Sequence, residues 1–175
     1  ILANVEAAAR LFPLGETDRC LSFLPLSHIF ERVDGYYFML RQGTVISYAE
    51  SIDSVPANLL EVQPTVALSV PRLFEKMYAR VMEQVLGGPW LRKQLFFGAL
   101  HASRACVRRE ASGGRPGLLL RGLTRLCRQT VFARLRRHLG GRLRFFISGG
   151  APLAGDVDEF FRAAGIPIYQ GYGLT

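Results

Sequence analysis

Two short glycine-containing segments near the end of the chain could bind a small ligand. The first is Ser148-Gly149-Gly150-Ala151, and the second runs from Gln170 to Thr175. Each follows a short apolar run that is typical of a buried strand. Turns after neighbouring parallel strands lie side by side at the carboxyl edge of a sheet, the usual ligand site of open α/β folds. The sequence therefore predicts a ligand site built from these two turns.

Two side chains of the second turn could take part in chemistry. Tyr172 lies between Gly171 and Gly173, so its ring is open to a planar ligand. The hydroxyl of Thr175 could contact a phosphate or a hydrated metal ion. A G-x-G spacing alone is a weak signal, and two ordinary turns explain it about as well.

His28 is a third candidate, because it follows a predicted strand and would lie at the same edge of the sheet. A lone histidine is more often a hydrogen-bonded structural residue than a catalyst. Arg32 lies one helical turn further on. It could pair with an acidic neighbour or face an acidic ligand, and the sequence leaves both readings open.

Alternating elements predict an α/β fold with a partial doubly wound, mostly parallel sheet that has helices on both faces. Strands are predicted at residues 20–26, 44–48, 65–70, 143–147 and 166–169. Helices are predicted at residues 2–11, 29–41, 55–62, 71–86 and from Pro152 to Gly165. Residues 90–142 are expected to be mainly helical, with a break at 112–117.

The positive charge is confined to one segment. Residues 104–144 hold twelve arginines and one acid, a formal +11, whereas the rest of the chain has ten basic and thirteen acidic residues, a formal −3. One helix is predicted from Leu118 to Leu139, with an inward apolar stripe at four-residue intervals from Leu119. Its outward basic side would carry Arg121, Arg125, Arg128, Arg136 and Arg137. This basic side could be a solvated surface, contact the phosphates of a ligand, or touch an anionic membrane.

Composition and the remaining motifs limit the function classes. Cys20, Cys106 and Cys127 share no metal-ligand spacing, which favours a reduced, cytoplasmic interior. No apolar run reaches the ~18 residues of a membrane span. A serine hydrolase would need G-x-S-x-G, and a dinucleotide oxidoreductase would need G-x-G-x-x-G near its first strand; neither is present. A nucleic-acid-binding domain would use the basic segment, but that segment has few aromatic residues to stack on bases.

Four motifs in order resemble the AMP-forming acyl-activating enzymes. Ser148 to Leu153 and Gln170 to Thr175 resemble the paired nucleotide-binding motifs of that family. Leu24 to Arg32 and Val70 to Lys76 are most similar to the long-chain fatty-acid–CoA ligases. The resemblance covers essentially the whole chain and is least diagnostic at residues 87–130.

The resemblance implies a two-step reaction and a role for each motif. A fatty acid reacts with ATP to give acyl-AMP, and coenzyme A then displaces AMP. The implied adenine pocket is Gly150, Ala151, Gln170 and Gly171, with Tyr172 stacked on the ring. Thr175 would act in catalysis at the phosphate and, through it, on Mg²⁺, while His28 would act in catalysis and shape the substrate pocket together with Gly149 and Gly173.

The resemblance also predicts that residues 1–175 are a fragment of an N-terminal AMP-binding domain. The phosphate loop would lie upstream, and a metal-binding glutamate and a C-terminal lid domain would lie downstream. The fragment alone is expected to be inactive. Two alternatives stay open: a fatty-acyl-AMP ligase that loads a carrier protein, and a basic nucleic-acid-binding α/β domain. A cytoplasmic enzyme is expected, peripheral on a membrane if the Arg121–Arg137 helix touches anionic lipid.

Overall fold

A computed structural model describes residues 1–171 of the chain. Its centre is a five-stranded sheet in the order β2-β1-β3-β4-β5, with every neighbouring pair parallel. The strands are β1 (Arg19–Ser22), β2 (Val45–Tyr48), β3 (Val66–Ser69), β4 (Phe145–Ser148) and β5 (Ile168–Gln170). All five strands therefore end at one carboxyl edge.

Helices connect the strands, as a parallel sheet requires. They are α1 (Leu2–Leu11), a π-helix (Glu31–Tyr37) that continues into α2 (Phe38–Arg41), α3 (Val55–Val62), α4 (Pro71–Leu86), α5 (Trp90–Ala111), α6 (Leu118–Gln129), α7 (Ala133–His138) and α8 (Gly155–Ala163). No helix within residues 1–171 combines the length and the apolar character needed to cross a membrane.

The helices cover both faces of the sheet, and each face has its own core. On one face, Val5, Val33 and Phe38 from α1, the π-helix and α2 pack on Val66 and Ile147 of the strands. On the other face, α3, α4, α5 and α8 bury a larger cluster that includes the aromatic residues Phe74, Phe96, Phe146, Phe160 and Phe161. The predicted α/β fold with helices on both faces is confirmed.

The amino end of the sheet is held by an ion pair between a buried aspartate and a half-exposed arginine. Asp18 accepts a hydrogen bond from Thr65 Oγ1 (2.6 Å) and lies 2.9 Å from Arg144 Nη1. Burial raises the pKa of the Asp18 carboxyl, but the hydrogen bonds from Thr65 and Arg144 outweigh it, so that the pKa lies below its usual value. This cluster ties β1, β3 and β4 together on the side away from the glycine turns.

The predicted start of the last helix at Pro152 is wrong. Helix α8 begins at Gly155, and Ala154 before it is extended, with φ −60° and ψ 134°. The backbone N–H of Leu153 donates to Gln170 Oε1 (3.2 Å), and the Leu153 side chain is buried. These contacts keep residues 151–154 in a loop. The predicted stop is confirmed, since Gly165 follows the helix with φ +80°.

The helix predicted at residues 29–41 is not an α-helix throughout. Residues Glu31–Tyr37 form a π-helix, and its last bond runs from Phe38 N–H to Val33 O, five residues back. π-helical turns are rare and occur frequently at functional sites. The apolar spacing in the sequence does not distinguish this geometry from an α-helix.

The single arginine-rich helix predicted from Leu118 to Leu139 is also wrong. The chain forms two helices, α6 and α7, and the stripe does not face inward along its length. Leu119 is 92% exposed, whereas Cys127 and Leu139 are buried. Within α6 the stripe already turns from exposed at Leu119 to buried at Cys127, because a four-residue spacing advances about 40° around the helix at each step.

Candidate functional site

The two glycine turns lie side by side at the carboxyl edge of the sheet. Ser148 and Gln170 are partners in the register of β4 and β5. Just past the strands, Gly171 N–H donates to Ser148 O at 2.8 Å. The Gln170 side chain also reaches across and accepts the Leu153 N–H. Gly150, Ala151, Gln170 and Gly171 are all exposed, so the turn surfaces are open to a ligand.

The loop after β1 packs directly on the first turn. A Cβ at Gly149 would lie 2.7–2.9 Å from atoms of the Phe30 ring, so only glycine lets this aromatic ring contact the backbone there. Gly150 follows with φ +87°, a left-handed conformation that other residues rarely adopt. The structure therefore brings together three loops: those after β1, β4 and β5.

His28 lies exposed in the loop after β1, where its own neighbours orient it. Its Nδ1 accepts a hydrogen bond from Phe30 N–H at 3.2 Å, and its backbone N–H donates to Pro25 O at 2.9 Å. Because Nδ1 accepts, the neutral imidazole carries its proton on Nε2. Arg32 uses its Nε to donate to Leu26 O at 2.9 Å. Arg32 thus stabilises the loop that presents His28.

Glu31 was missed by the sequence reasoning, although it lies at the centre of this region. Its side chain is fully buried and accepts a hydrogen bond from Ser22 Oγ at the end of β1. Its Oε2 has no hydrogen-bond partner among residues 1–171. A Cβ at Gly35 would lie 2.6 Å from Glu31 Oε1, so the glycine makes room for the carboxyl group. A glutamate four residues before a mid-helix glycine was the available signal.

The surroundings of Glu31 favour its neutral form. Burial raises the pKa of the Glu31 carboxyl to about 7, the Ser22 hydroxyl opposes this, and the Asp34 charge adds to it. Burial also raises the pKa of the Asp34 carboxyl. The pKa of the Cys20 thiol on β1 is raised by burial and by the charge of Glu31. The region between β1 and the π-helix is thus poorly solvated.

Two buried serines add polar groups to the same edge. Ser69 and Ser148 are partners in the register of β3 and β4, and each ends its strand. Within the described part of the chain, neither hydroxyl has a hydrogen-bond partner. Unsatisfied buried polar groups are rare in folded proteins. The two hydroxyls add to the polar groups at this edge.

An apolar cavity of about 1130 Å³ lies on the α3–α4 side of the sheet. Helices α3, α4, α5 and α7 form its walls, and Phe146 of β4 and Phe23, just after β1, lie at its sheet side. Because Phe23 directly follows β1, the cavity extends to the carboxyl edge. Its volume lies slightly above the ~300–1,000 Å³ typical of ligand pockets.

Three of the predicted site residues, Tyr172, Gly173 and Thr175, lie outside the described residues. Their predicted roles in stacking, substrate binding and phosphate contact stay predictions. Among residues 1–171, no three His, Cys, Asp or Glu side chains are grouped so that they could hold a metal ion. The three cysteines are buried and unpaired with one another.

The sequence model of the AMP-binding enzyme family matches residues 1–175. The chain therefore belongs to the AMP-binding enzyme family. It is 38% identical over 180 residues to the long-chain-fatty-acid–CoA ligase FadD15 of Mycobacterium tuberculosis, covering 100% of this chain and 29% of that protein. It is 32% identical over 172 residues to long-chain-fatty-acid–CoA ligase 1 of Saccharomyces cerevisiae, covering 93% of this chain and 23% of that protein. The chain thus spans less than a third of these relatives.

Solved structures agree with the fold. The N-terminal domain of FACL13 from Mycobacterium tuberculosis superimposes with a TM-score of 0.56 at 18% identity, covering 97% of this chain and 30% of that one. Apo MatB from Rhodopseudomonas palustris gives a TM-score of 0.57 at 18% identity, covering 99% of this chain and 25% of that one. The family match and the two similar ligases, rather than these structures, favour the adenylating-enzyme interpretation over a nucleic-acid-binding domain.

Proposed function

We propose that the full-length protein is an AMP-forming long-chain fatty-acid–CoA ligase and that residues 1–175 form part of its N-terminal nucleotide-binding domain. The observations that carry this proposal are the two adjacent glycine turns at the carboxyl edge of the sheet and a large apolar cavity that reaches this edge at Phe23. The turns suit a nucleotide, and the cavity suits an acyl chain. The two similar ligases provide the reaction class.

The proposed reaction has two balanced steps. In the first, a carboxylate oxygen attacks the α-phosphorus of ATP, the bond to the β-phosphate oxygen breaks, and pyrophosphate leaves. In the second, the sulfur of coenzyme A attacks the acyl carbon, the bond to the AMP oxygen breaks, and the thiol proton passes to solvent. The curated relatives are CoA ligases by name, which favours coenzyme A over a carrier protein as acceptor.

The chain's own residues would bind and orient the nucleotide. Gly150 and Ala151 are exposed in the first turn and Gln170 and Gly171 in the second, so these four residues would line the adenine pocket. Tyr172 would stack on the adenine ring and Thr175 would contact a phosphate. Glycines in both turns allow a flat ring to approach the backbone closely.

His28 would act on the acid rather than on the nucleotide. Its Nδ1 already accepts the Phe30 N–H, which leaves the Nε2–H free to donate to a carboxylate oxygen. Phe30 and Gly149 connect this loop to the first turn. His28 would thereby hold the carboxylate near the nucleotide, with Gly149 and Gly173 forming the rest of the substrate pocket.

The cavity would hold the acyl chain. Apolar side chains such as Leu59, Leu73, Met77 and Val81 line it. Burial of each methylene contributes ~0.8 kcal/mol, so a long chain gains binding energy along such a wall. Since the cavity extends to Phe23 at the carboxyl edge, the carboxylate end of the acid would lie toward His28.

Two further components complete the proposal. Coenzyme A would be a cosubstrate, and Mg²⁺ would enter with the phosphates of ATP and neutralise their charge. Residues 1–171 include no group of three side chains that could hold this ion. Thr175 would contact the metal only indirectly, through phosphate.

We also propose a peripheral association of this enzyme with membranes. Long-chain fatty acids partition into lipid, so an enzyme at that surface meets its substrate at high local concentration. Residues 104–144, with twelve arginines and one acid, supply charge that is complementary to anionic lipid.

The activity test uses the full-length protein. Exchange of labelled pyrophosphate into ATP should require a long-chain fatty acid and proceed without coenzyme A, and added coenzyme A should yield the thioester. Absence of fatty-acid-dependent exchange would refute the proposal. Thioester formation on a carrier protein but not on coenzyme A would replace the ligase with the carrier-loading alternative.

Two substitutions test the residues of the second turn. Tyr172→Ala should weaken ATP binding by about 1–3 kcal/mol, the loss typical of a stacked ring, with a smaller change in fatty-acid affinity. Thr175→Val removes a hydroxyl and keeps the shape, so adenylation should slow by roughly ten- to a hundredfold. A parental ATP KM in the first variant, or a parental exchange rate in the second, would remove that residue from the site.

A further inference from the structure

Helix α6 turns an apolar side toward solvent. Leu118 and Leu119 are 86% and 92% exposed, and Leu123 and Leu126 are 48% and 56% exposed. At ~100° per residue, these four positions fall within about 140° of one another around the helix. They form one surface, which also includes Gly122 and Gln129, and we call it the leucine face.

An exposed leucine is ordinary, but four on one helical face are not. A helix on the surface of a globular protein normally packs its apolar side on the core. Here the packed side of α6 holds Thr124 and Cys127 instead. The sequence of α6 is therefore amphipathic in the sense expected of a helix that lies in an interface.

A basic groove of about 400 Å³ lies between α6 and α7, next to the leucine face. Arg125 and Arg128 of α6 and Arg136 and Arg137 of α7 line it, and no acidic residue does. Arg125 follows Leu118 by seven residues and therefore lies about 20° from it around the helix, at the edge of the leucine face. We call this feature the arginine groove.

The arginines of the groove divide into two structural classes. Arg128 donates to Ala163 O and Arg162 O, and Arg136 donates to Gly165 O at 2.9 Å, so these two hold the carboxyl end of α8. The five ion pairs among residues 1–171 include neither Arg125 nor Arg137. Arg125 and Arg137 thus remain available to an external anion.

We propose that α6 docks on an anionic lipid bilayer, with the leucine face inserted among the acyl chains and the arginine groove on the phosphate headgroups. This docking rests on the membrane association proposed above, and α6 is the part of the protein that would make the contact. Charge complementarity selects the occupant, because a second copy would bring two +11 segments together. A nucleic acid would pair with the arginines but leave the leucines in water.

The first experiment places a probe on the leucine face of the full-length protein. An environment-sensitive fluorophore on Leu119→Cys labels an exposed position, while Cys20, Cys106 and Cys127 are buried and any cysteine elsewhere in the full-length protein is first replaced by serine. Emission should shift to the blue on vesicles of phosphatidylglycerol and phosphatidylcholine, and not on vesicles of phosphatidylcholine alone. The same probe on Leu40→Cys, whose leucine is 61% exposed on α2, should report water in both cases.

The second experiment measures vesicle sedimentation with matched variants. Leu118→Ser with Leu119→Ser should lower the partition coefficient at least roughly tenfold. Arg125→Gln with Arg137→Gln should lower it roughly 25-fold, about fivefold for each charge. The controls are Leu40→Ser and Arg72→Gln, an exposed leucine and an exposed arginine on other helices, and both should bind as the parent does. Arg128 and Arg136 are left intact because they stabilise α8.

Several results would overturn the proposal. They are parental vesicle binding by the leucine variant, equal binding to neutral and anionic vesicles, and a probe at position 119 that is already blue-shifted without lipid. The last would mean that another part of the full-length chain or a second copy covers the leucine face. Pyrophosphate exchange with a water-soluble medium-chain acid is measured in parallel. It should be unchanged in all variants, so that failed docking and failed ligase activity are told apart.

Discussion

Glu31 offers the sharpest test of the site's electrostatics. Its carboxyl is fully buried, its pKa is raised from 4.5 to about 7, and its single described hydrogen bond comes from Ser22. Below the unfolded-state pKa the carboxyl is protonated in both the folded and the unfolded state, and its contribution to the free energy of unfolding is fully present. As the pH rises toward 7 the unfolded chain ionises first, so stability is lost. Each pKa unit corresponds to ~1.36 kcal/mol, so the shift from 4.5 to about 7 lowers the free energy of unfolding by roughly 3 kcal/mol once the pH exceeds 7.

Glu31→Gln removes this ionisation and keeps the size of the side chain. We therefore predict that the free energy of unfolding of the variant, relative to the parent, rises by roughly 3 kcal/mol between pH 4.5 and pH 8. Urea denaturation of both proteins across this range measures the difference. Asp34, Cys20 and Tyr48 also face or adjoin Glu31 and have raised pKa values, but they are present in both proteins. Glu61→Gln, an exposed site on α3, should stay within about 0.5 kcal/mol of the parent throughout.

Parallel stability curves for Glu31→Gln and the parent would refute the reasoning. That result would mean that Glu31 is ionised in the folded protein near pH 5, as an exposed glutamate is. The carboxyl would then need a partner that the described residues do not provide.

Three further predictions concern packing, the ion pair and the cavity. Gly35→Ala should destabilise the protein by about 1–3 kcal/mol in a urea titration, because its Cβ would lie 2.6 Å from Glu31 Oε1. The control is Gly98→Ala, whose Cβ meets nothing within 4 Å. It should instead stabilise the protein by about 0.5–1 kcal/mol. Arg144→Gln should lower the free energy of unfolding by about 1–2 kcal/mol at pH 7, and this loss should shrink as the pH falls through the depressed pKa of Asp18. The control is Arg142→Gln, at an exposed position two residues away. Equal melting curves for the two variants would contradict the role of Arg144 in the ion pair. Met77→Trp fills part of the cavity and should lower kcat/KM for long acids roughly tenfold or more relative to medium-chain acids. The control is Ala79→Trp, at an exposed position outside the cavity, which should leave the chain-length profile unchanged. An unchanged profile in both variants would exclude the cavity as the acyl site.

Much of the fold could be predicted from the sequence because local signals and tertiary structure agree. Apolar runs such as Phe145 to Ile147 are buried strands, and Pro71 and Gly165 mark a helix start and a helix end. The neighbouring positions of the two glycine turns followed from parallel strands alone. These features depend on backbone preferences and on burial, which short windows of sequence report.

The remaining features depend on contacts between distant residues. Glu31 is buried because its carboxyl fits against Gly35 and accepts a hydrogen bond from Ser22. The periodicity of the sequence does not predict this burial. The turn at Pro152 is held by the Gln170 side chain from the next strand, which delays the helix to Gly155. The outward leucines of α6 follow from where α5 lies. A four-residue spacing predicts a stripe but not the side of the helix that meets the core.

The central claim is that the carboxyl edge of β4 and β5 binds the adenylate while the adjoining cavity binds the acyl chain. The most direct measurement is a crystal structure of the full-length protein with a non-hydrolysable acyl-AMP analogue. We predict that the adenine ring contacts residues 149–151 and 170–172 and that the acyl chain lies against Met77 and Val81 of α4. An adenine ring bound away from these two turns would contradict the account.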